Sequence, residues 1–340
     1  PIARRLHEEL LASVRDVLRP EIERLILVPD GTLHFLPFDV LIDGIRGRYV
    51  IEDFEVSFTP SATVLAQLRD RAAGDRGRDQ MMMLADPVVP DPGRDPSTSA
   101  DQRTASYERE GFELPRLPYT EQEALLVSRF AKDASEIYLG AAATESKLKD
   151  RSLDRFGVIH FATHGLVSSQ RPLRSALLLS DEPDGSQDGF LEVREIYELH
   201  LASELIVLSA CRGARGRVLR GEGVEGLGQA FLHAGARSVV ASVLDIADDR
   251  AVQLMELFYG GLADGLSTGA ALRAAKLAML RERRIPARAW AGFAVIGDPS
   301  AEIALSRPPE PASRALWGAA LIAALLLSVA IGSRYLRPRR

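Results

Sequence analysis

Val158-Ile159-His160-Phe161-Ala162-Thr163-His164-Gly165 and Leu205-Ile206-Val207-Leu208-Ser209-Ala210-Cys211-Arg212-Gly213 are the two runs on which the reading of this chain turns. Each is a short stretch of β-branched, aromatic and aliphatic residues closed by glycine, the pattern of a strand covered on both faces. Between them lie a polar connection containing Pro and Asp and a helix-like stretch over 191–199, so the two read as parallel strands of a βαβ unit. In such sheets the chemistry collects beyond the carboxyl ends of the strands. Those ends carry His164 and Cys211.

Outward from this pair the pattern repeats. Short apolar runs at 25–28, 81–85, 136–139, 238–244 and 293–296 read as strands, and 50–60 alternates in part and reads as another. Helical spacing or capping marks 2–18, 63–71, 121–132, 144–149, 222–234, 248–262 and 267–283. The alternation predicts an α/β class with a mainly parallel sheet flanked by helices. Residues 88–118, with Pro90, Pro92, Gly93, Pro96 and few aliphatics among charges, read as a long exposed loop.

Composition narrows the function. With 46% apolar and 26% charged residues the chain is an ordinary globular protein, and its net charge of −5 gives no basic surplus for general nucleic-acid binding. A single cysteine excludes an internal disulfide framework, disfavours a multi-cysteine zinc site and suits a reducing compartment. That cysteine precedes Arg212, Arg215, Arg217 and Arg220, whose charge favours the thiolate. His160 and His164 share a strand face, but no further ligand cluster completes a site, so no metal is expected and His160 reads as a core residue. Gly221-x-Gly223-x-x-Gly226 fits a dinucleotide fingerprint, with Asp245 about 20 residues on. Residues 211–220 separate it from its strand, and Glu222 and Glu225 would face a pyrophosphate with like charge. No cofactor is expected, and a nucleotide-binding regulator is the weakest of the readings kept.

The His/Cys pair fits nucleophilic catalysis, in which a thiolate attacks a carbonyl and an imidazole manages the proton. The oxyanion that develops needs main-chain N–H donors, which the turn at Gly165 and the amide of Cys211 are placed to supply. Several further stretches point the same way: Phe161-Ala162-Thr163-His164-Gly165, Leu208-Ser209-Ala210-Cys211, Gly221-Glu222-Gly223, Val28-Pro29-Asp30-Gly31, Leu36-Pro37-Phe38, Pro60-Ser61-Ala62-Thr63, Gly235-Ala236-Arg237-Ser238-Val239 and Ile296-Gly297-Asp298-Pro299. Together they resemble the CHAT domain family, caspase-like cysteine peptidases of the clan that includes separase and gingipain. His164 lies 47 residues before Cys211, close to the spacing of about 50 in caspases.

The resemblance covers about residues 20–303. It implies a caspase-hemoglobinase fold, a His164–Cys211 dyad, and an oxyanion hole of the Gly165 and Cys211 amides. It also implies a protein substrate and a role as a bacterial defence effector that cuts a partner such as a gasdermin-like pore former. Asp181, Asp184, Asp188, Asp245 and Asp248 are candidates for a pocket that pairs with a basic residue before the cut bond, as in the separase and gingipain relatives. The alternative from another class is a catalytically silent CHAT-like scaffold at the membrane.

Five parts are expected along the chain. An N-terminal helix at 1–19, a candidate remnant of an upstream helical array, precedes the peptidase domain at 20–303, which is followed by a Pro-rich linker at 304–314. Residues 315–333 carry no charge over 19 positions and are long enough to span a bilayer, flanked by Arg314, Trp317, Arg334 and Tyr335. A basic tail at 334–340 closes the chain. The expectation is a single-pass C-terminal anchor with the catalytic domain in the cytoplasm.

Overall fold

In the structure, a computed structural model, residues 2–14, 17–71, 78–89, 99–131, 135–168, 171–209, 223–244 and 246–308 are described. Phe156–Ala162, strand β5, shows why the first quoted run has no polar alternation. Every one of its residues is buried. Ile159 and Phe161 enter one core, while Val158 and Ala162 enter a second on the opposite face. A strand covered on both faces has no solvent side on which to place polar residues.

β5 lies inside an eight-stranded sheet built from β1 (Arg24–Leu27), β2 (Glu55–Phe58), β3 (Gln80–Ala85), β4 (Ser135–Leu139), β5, β9 (Leu205–Leu208), β10 (Ser238–Ser242) and β11 (Phe293–Gly297), in the order β1-β2-β11-β10-β9-β5-β3-β4. β5 and β9 are parallel neighbours, with Phe161 opposite Leu208. Every pairing is parallel except β10 with β11. The α/β class with a mainly parallel sheet therefore holds, with one reversal at β11.

Helices cover both faces. α5 (Thr120–Val127), α9 (Asp248–Ala263) and α10 (Thr268–Arg281) enclose one core, where Trp290, Phe258 and Tyr259 are fully buried. α8 (Gly223–Ala234) sets Leu227 and Phe231 into the other. α1 (Ile2–Leu11) packs Leu6, Leu10 and Leu11 against that same core, and α3 (Ala62–Arg71) adds Leu68. The short helices α2 (Val50–Asp53), α6 (Ser146–Lys149) and α7 (Val193–Ile196) complete the set. Residues 50–60 thus differ from the single strand expected. The Glu52 carboxylate accepts the Tyr49 N–H at 3.0 Å and closes a helical turn before β2 begins.

Two departures bear on the site. The connection from β5 to β9 is not a simple crossover. It carries an antiparallel sheet of β6 (Gly165–Leu166), β7 (Ala176–Leu178) and β8 (Phe190–Glu192). And the segment expected to be exposed loop, 88–118, contains α4 (Ser99–Arg109). Tyr107 of α4 is 1% exposed, stacks on Phe190 of β8 at 4.9 Å between centroids, and donates its hydroxyl to the Arg174 carbonyl. Arg103 donates to Asp188 (2.9 Å) and to the buried Glu192 (2.8 Å). A helix with few aliphatics docks here through one aromatic ring and one arginine fork, so hydrophobic periodicity could not reveal it.

Candidate active site

β5 ends at Ala162, and its two neighbours close over that end. Asp86, just past β3, donates its N–H to the Ala162 carbonyl at 3.3 Å, and Ser209, just past β9, donates to the Phe161 carbonyl at 2.9 Å. The next two residues of β5's chain are fixed by the small sheet. The Thr163 hydroxyl donates to the Leu178 carbonyl, and the Leu178 N–H donates to the His164 carbonyl at 2.9 Å. His164 is thereby held at the carboxyl end of the sheet and is 2% exposed.

The ladder also orients Gly165. It pairs with Leu177 across β6 and β7, and the bond from Leu178 to His164 makes this the non-hydrogen-bonded kind of antiparallel pair. In that kind of pair the N–H groups point away from the partner strand. The Gly165 amide is therefore turned from β7.

The His164 ring has one partner among the described residues. Its Nε2 lies 2.6 Å from the carbonyl oxygen of Pro115. A carbonyl only accepts, so Nε2 carries the hydrogen, and the neutral ring then has its lone pair on Nδ1. Nδ1 is buried and has no hydrogen-bond partner among the described residues. Burial pushes the His164 pKa below the ordinary imidazole range, against the upward pull of the Pro115 carbonyl and the Asp248 carboxylate. What results is a fixed imidazole whose basic nitrogen is unpaired among the described residues, which is the state a general base needs.

The other expected residues divide. Cys211 and Asp245, with Arg212–Arg220 and Gly221, lie outside the described residues. Asp248 opens α9 and acts electrostatically on His164. Asp181 and Asp184 are exposed in the turn between β7 and β8, and Asp184 accepts the Ser186 N–H at 3.0 Å. Asp188 is already committed: one oxygen accepts from Arg103 and the other from the Phe190 N–H at 3.1 Å. His160 faces the core under α5 and α9, with Nδ1 3.0 Å from the Tyr259 hydroxyl and Nε2 3.0 Å from Glu123 Oε1. No group of three or more His, Cys, Asp or Glu side chains able to hold a metal occurs among the described residues.

Sequence reasoning missed Pro115, because its contribution is a main-chain carbonyl. It also missed Arg116, which pairs with Asp86 through Nε (3.2 Å) and Nη2 (2.7 Å). The only signal available was Asp86-Pro87 closing the β3 run. No described helix is long and apolar enough to cross a membrane, and 315–333 lies outside the described residues.

The chain matches the CHAT domain family over residues 1–298. It is 24% identical over 330 residues to Tetratricopeptide repeat protein 28 of Mus musculus, which covers 86% of this chain and 13% of that protein. The Homo sapiens protein of the same name is 25% identical over 331 residues, covering 86% and 12%. The chain thus spans about an eighth of the length of these curated relatives. In three dimensions it is similar to the Arg specific cysteine proteinase gingipain R (RGPB), with a TM-score of 0.50 and 13% identity over 89% of this chain and 67% of that one. That likeness is one of fold.

Proposed function

This chain belongs to the CHAT domain family, and on that footing we propose that it is a caspase-like cysteine endopeptidase that cuts a protein partner through His164 and Cys211. One observation carries the reading: the buried His164 ring is tied at Nε2 to the Pro115 carbonyl, which leaves Nδ1 as its basic atom at the carboxyl end of β5. The sequence puts Cys211 two residues beyond Ser209, the residue bonded to the end of β5. Two residues of chain reach about 7 Å.

In this mechanism Nδ1 takes the Cys211 proton, and the arginines that follow favour the thiolate. Sulfur adds to the scissile carbonyl carbon, and the oxyanion takes the N–H groups of Gly165 and Cys211. The imidazolium returns its proton to the departing amine as the C–N bond breaks, leaving a thioester. Water then attacks the thioester, giving a proton to Nδ1, and the proton passes back to sulfur as the acid leaves. Asp245 and Asp248 are the pocket carboxylates proposed for a basic residue before the cut bond, because Asp248 already acts on His164 and Asp245 precedes it by three residues; Asp188 is held by Arg103, and Asp181 and Asp184 sit on an exposed turn. The uncharged run at 315–333 would anchor the enzyme, with the domain in the cytoplasm, and bacterial defence is the setting the family resemblance implies.

The test is covalent labelling with a peptidyl electrophile. The folded wild type should be labelled at Cys211, and Cys211→Ala should not react. His164→Ala should slow labelling by about 10²–10⁴-fold. Cleavage that persists unchanged after complete Cys211 alkylation sinks the proposal, and a folded protein with no labelling and no cleavage is the silent scaffold.

A further inference from the structure

The Pro115 carbonyl that holds His164 is itself held. Pro115 precedes Arg116, whose guanidinium grips both oxygens of Asp86. Asp86 is bonded through its N–H to Ala162, two residues before His164. The contacts close a ring: Ala162 to Asp86, Asp86 to Arg116, along the chain to Pro115, and from its carbonyl back to the His164 imidazole. Asp86 adopts a left-handed backbone with φ 47°, a conformation L residues avoid and Asp and Asn tolerate best. That conformation lies in a ring that reaches the imidazole, where constrained geometry is often found.

Upstream, the same segment is fastened by Tyr107 and Arg103 of α4, and Glu110 accepts from the Ser168 hydroxyl at 2.8 Å. The holds on His164 from Thr163 and Leu178 are fully buried. Arg116 differs, because its side chain is 73% exposed while that of Asp86 is 12% exposed. It is the part of the ring that solvent, salt and a binding partner can reach.

We propose that the Asp86–Arg116 pair is a positioning latch: it sets the Pro115 carbonyl against His164 and so controls whether the imidazole is held ready. The idea rests on the peptidase reading for its consequence in catalysis, but not for the contact itself. Neither residue touches the reacting atoms. If the pair breaks, the strap loses its anchor beside the ring, Nε2–H loses its acceptor, and the ring can rotate or change tautomer. The effect cannot exceed what the pair contributes to the held state, since a perturbation shifts a two-state population only by its differential free energy. For a bidentate arginine–carboxylate pair with an exposed guanidinium that is about two- to fivefold.

The test uses the full chain with Arg116→Ala and Asp86→Asn. Asparagine keeps the left-handed preference and the shape of Asp86 while removing its charge, so folding is preserved. Both variants should lower kcat about two- to fivefold with KM nearly unchanged, and the double variant should be no worse than either. Arg116→Lys should restore part of the loss, because a single ammonium keeps the charge but not the fork. The acid limb of the rate profile should move to lower pH, since the Pro115 carbonyl raises the His164 pKa and its loss leaves burial less opposed. Asp248 acts on the ring itself, while Asp86, Glu110, Glu113 and Glu121 lie on or beside the strap; Asp248 is untouched by the variants. Added salt should bring the wild type toward the variants and leave the variants flat.

A second readout needs no substrate. In protein with ¹⁵N-labelled histidine, assigned by His164→Ala, the wild-type ring should show the Nε2–H tautomer with a hydrogen-bonded proton. The two variants should show a mixture of tautomers. If that signal moves while no Cys211-dependent cleavage exists, the latch stands and the peptidase reading falls. If tautomer, kcat, acid limb and salt response are all unchanged in folded Arg116→Ala and Asp86→Asn, the latch is overturned.

Discussion

His160 tests whether the second histidine of β5 belongs to the core or to the chemistry. The perturbation is His160→Ala. In the native protein the ring is wholly buried, its Nδ1 shares a hydrogen with the Tyr259 hydroxyl at 3.0 Å, and its Nε2 lies 3.0 Å from Glu123 Oε1, close but off hydrogen-bond alignment. Glu123 belongs to α5 and Tyr259 to α9, so one ring ties two helices to the central strand. Removing it leaves a carboxylate only 2% exposed, and a hydroxyl that burial already holds far above the usual phenol pKa, without their shared partner. Emptying the place of a buried ring costs about 3–5 kcal/mol. An orphaned buried hydroxyl costs about 1–3 kcal/mol, and the two costs overlap because they share one cavity. A net loss of about 4 kcal/mol should lower the Tm of a folded unit of this size by about 6 °C. Scanning calorimetry gives Tm, and electrophile labelling of Cys211, well below the transition, gives the chemistry. Glu123→Gln on the His160→Ala background should recover part of the loss, because a neutral amide tolerates burial without a partner better than a carboxylate. A Tm within about 2 °C of wild type, together with a labelling rate reduced tenfold or more, would place His160 in the mechanism and refute the core assignment.

Three further outcomes follow from charges and from the chain's end. His164 is held below about 6.5 by burial while Asp248 pulls upward, and in the proposed mechanism it works only unprotonated. The rate should therefore fall as pH drops through a value below 6.5, and Asp248→Asn should move that limb lower still; an unmoved limb removes Asp248 from the electrostatics of the site. Asp298 is pushed up by burial but drawn below the ordinary carboxylate range by the Ser300 hydroxyl and by Arg237, whose Nε and Nη2 donate at 2.9 and 2.7 Å. A carboxylate whose folded pKa is depressed adds stability that is present above about pH 4 and lost as pH falls through the folded value, so Arg237→Ala should shift acid unfolding, followed by circular dichroism, to higher pH. Deleting 312–340 should convert a detergent-requiring protein into one recovered without detergent, and recovery of the full chain in the soluble fraction counts against the anchor.

Much of the sheet was legible because its strands are buried on both faces. The unbroken apolar runs at β3, β5, β9, β10 and β11 leave no other reading that suits their length. Strand direction was not legible: nothing in Phe293–Gly297 distinguishes a parallel neighbour from the antiparallel one it has in β10. α4 was hidden because Tyr107 and Arg103 do what a stripe of leucines does elsewhere. Of the candidate site, the place of His164 at the carboxyl end of β5 could be read from the apolar run before it. The acceptor on its ring could not, because every residue except its neighbours in space has the same carbonyl to offer. Asp188 misled for a related reason: composition shows a carboxylate but not the arginine already on it.

The main-chain origin of that acceptor has a consequence for genetics. Every amino acid at position 115 brings a carbonyl, so Pro115→Ala removes a ring and leaves the oxygen on His164 in place. An alanine scan would score the position as silent unless the backbone shifted. Chemical synthesis can reach what mutation cannot. Replacing the peptide bond between Pro115 and Arg116 with an ester weakens the carbonyl as an acceptor while sparing the side chains on either side. The residue that orients the imidazole is thus one whose identity selection can change freely, while the path of its backbone is what must be kept.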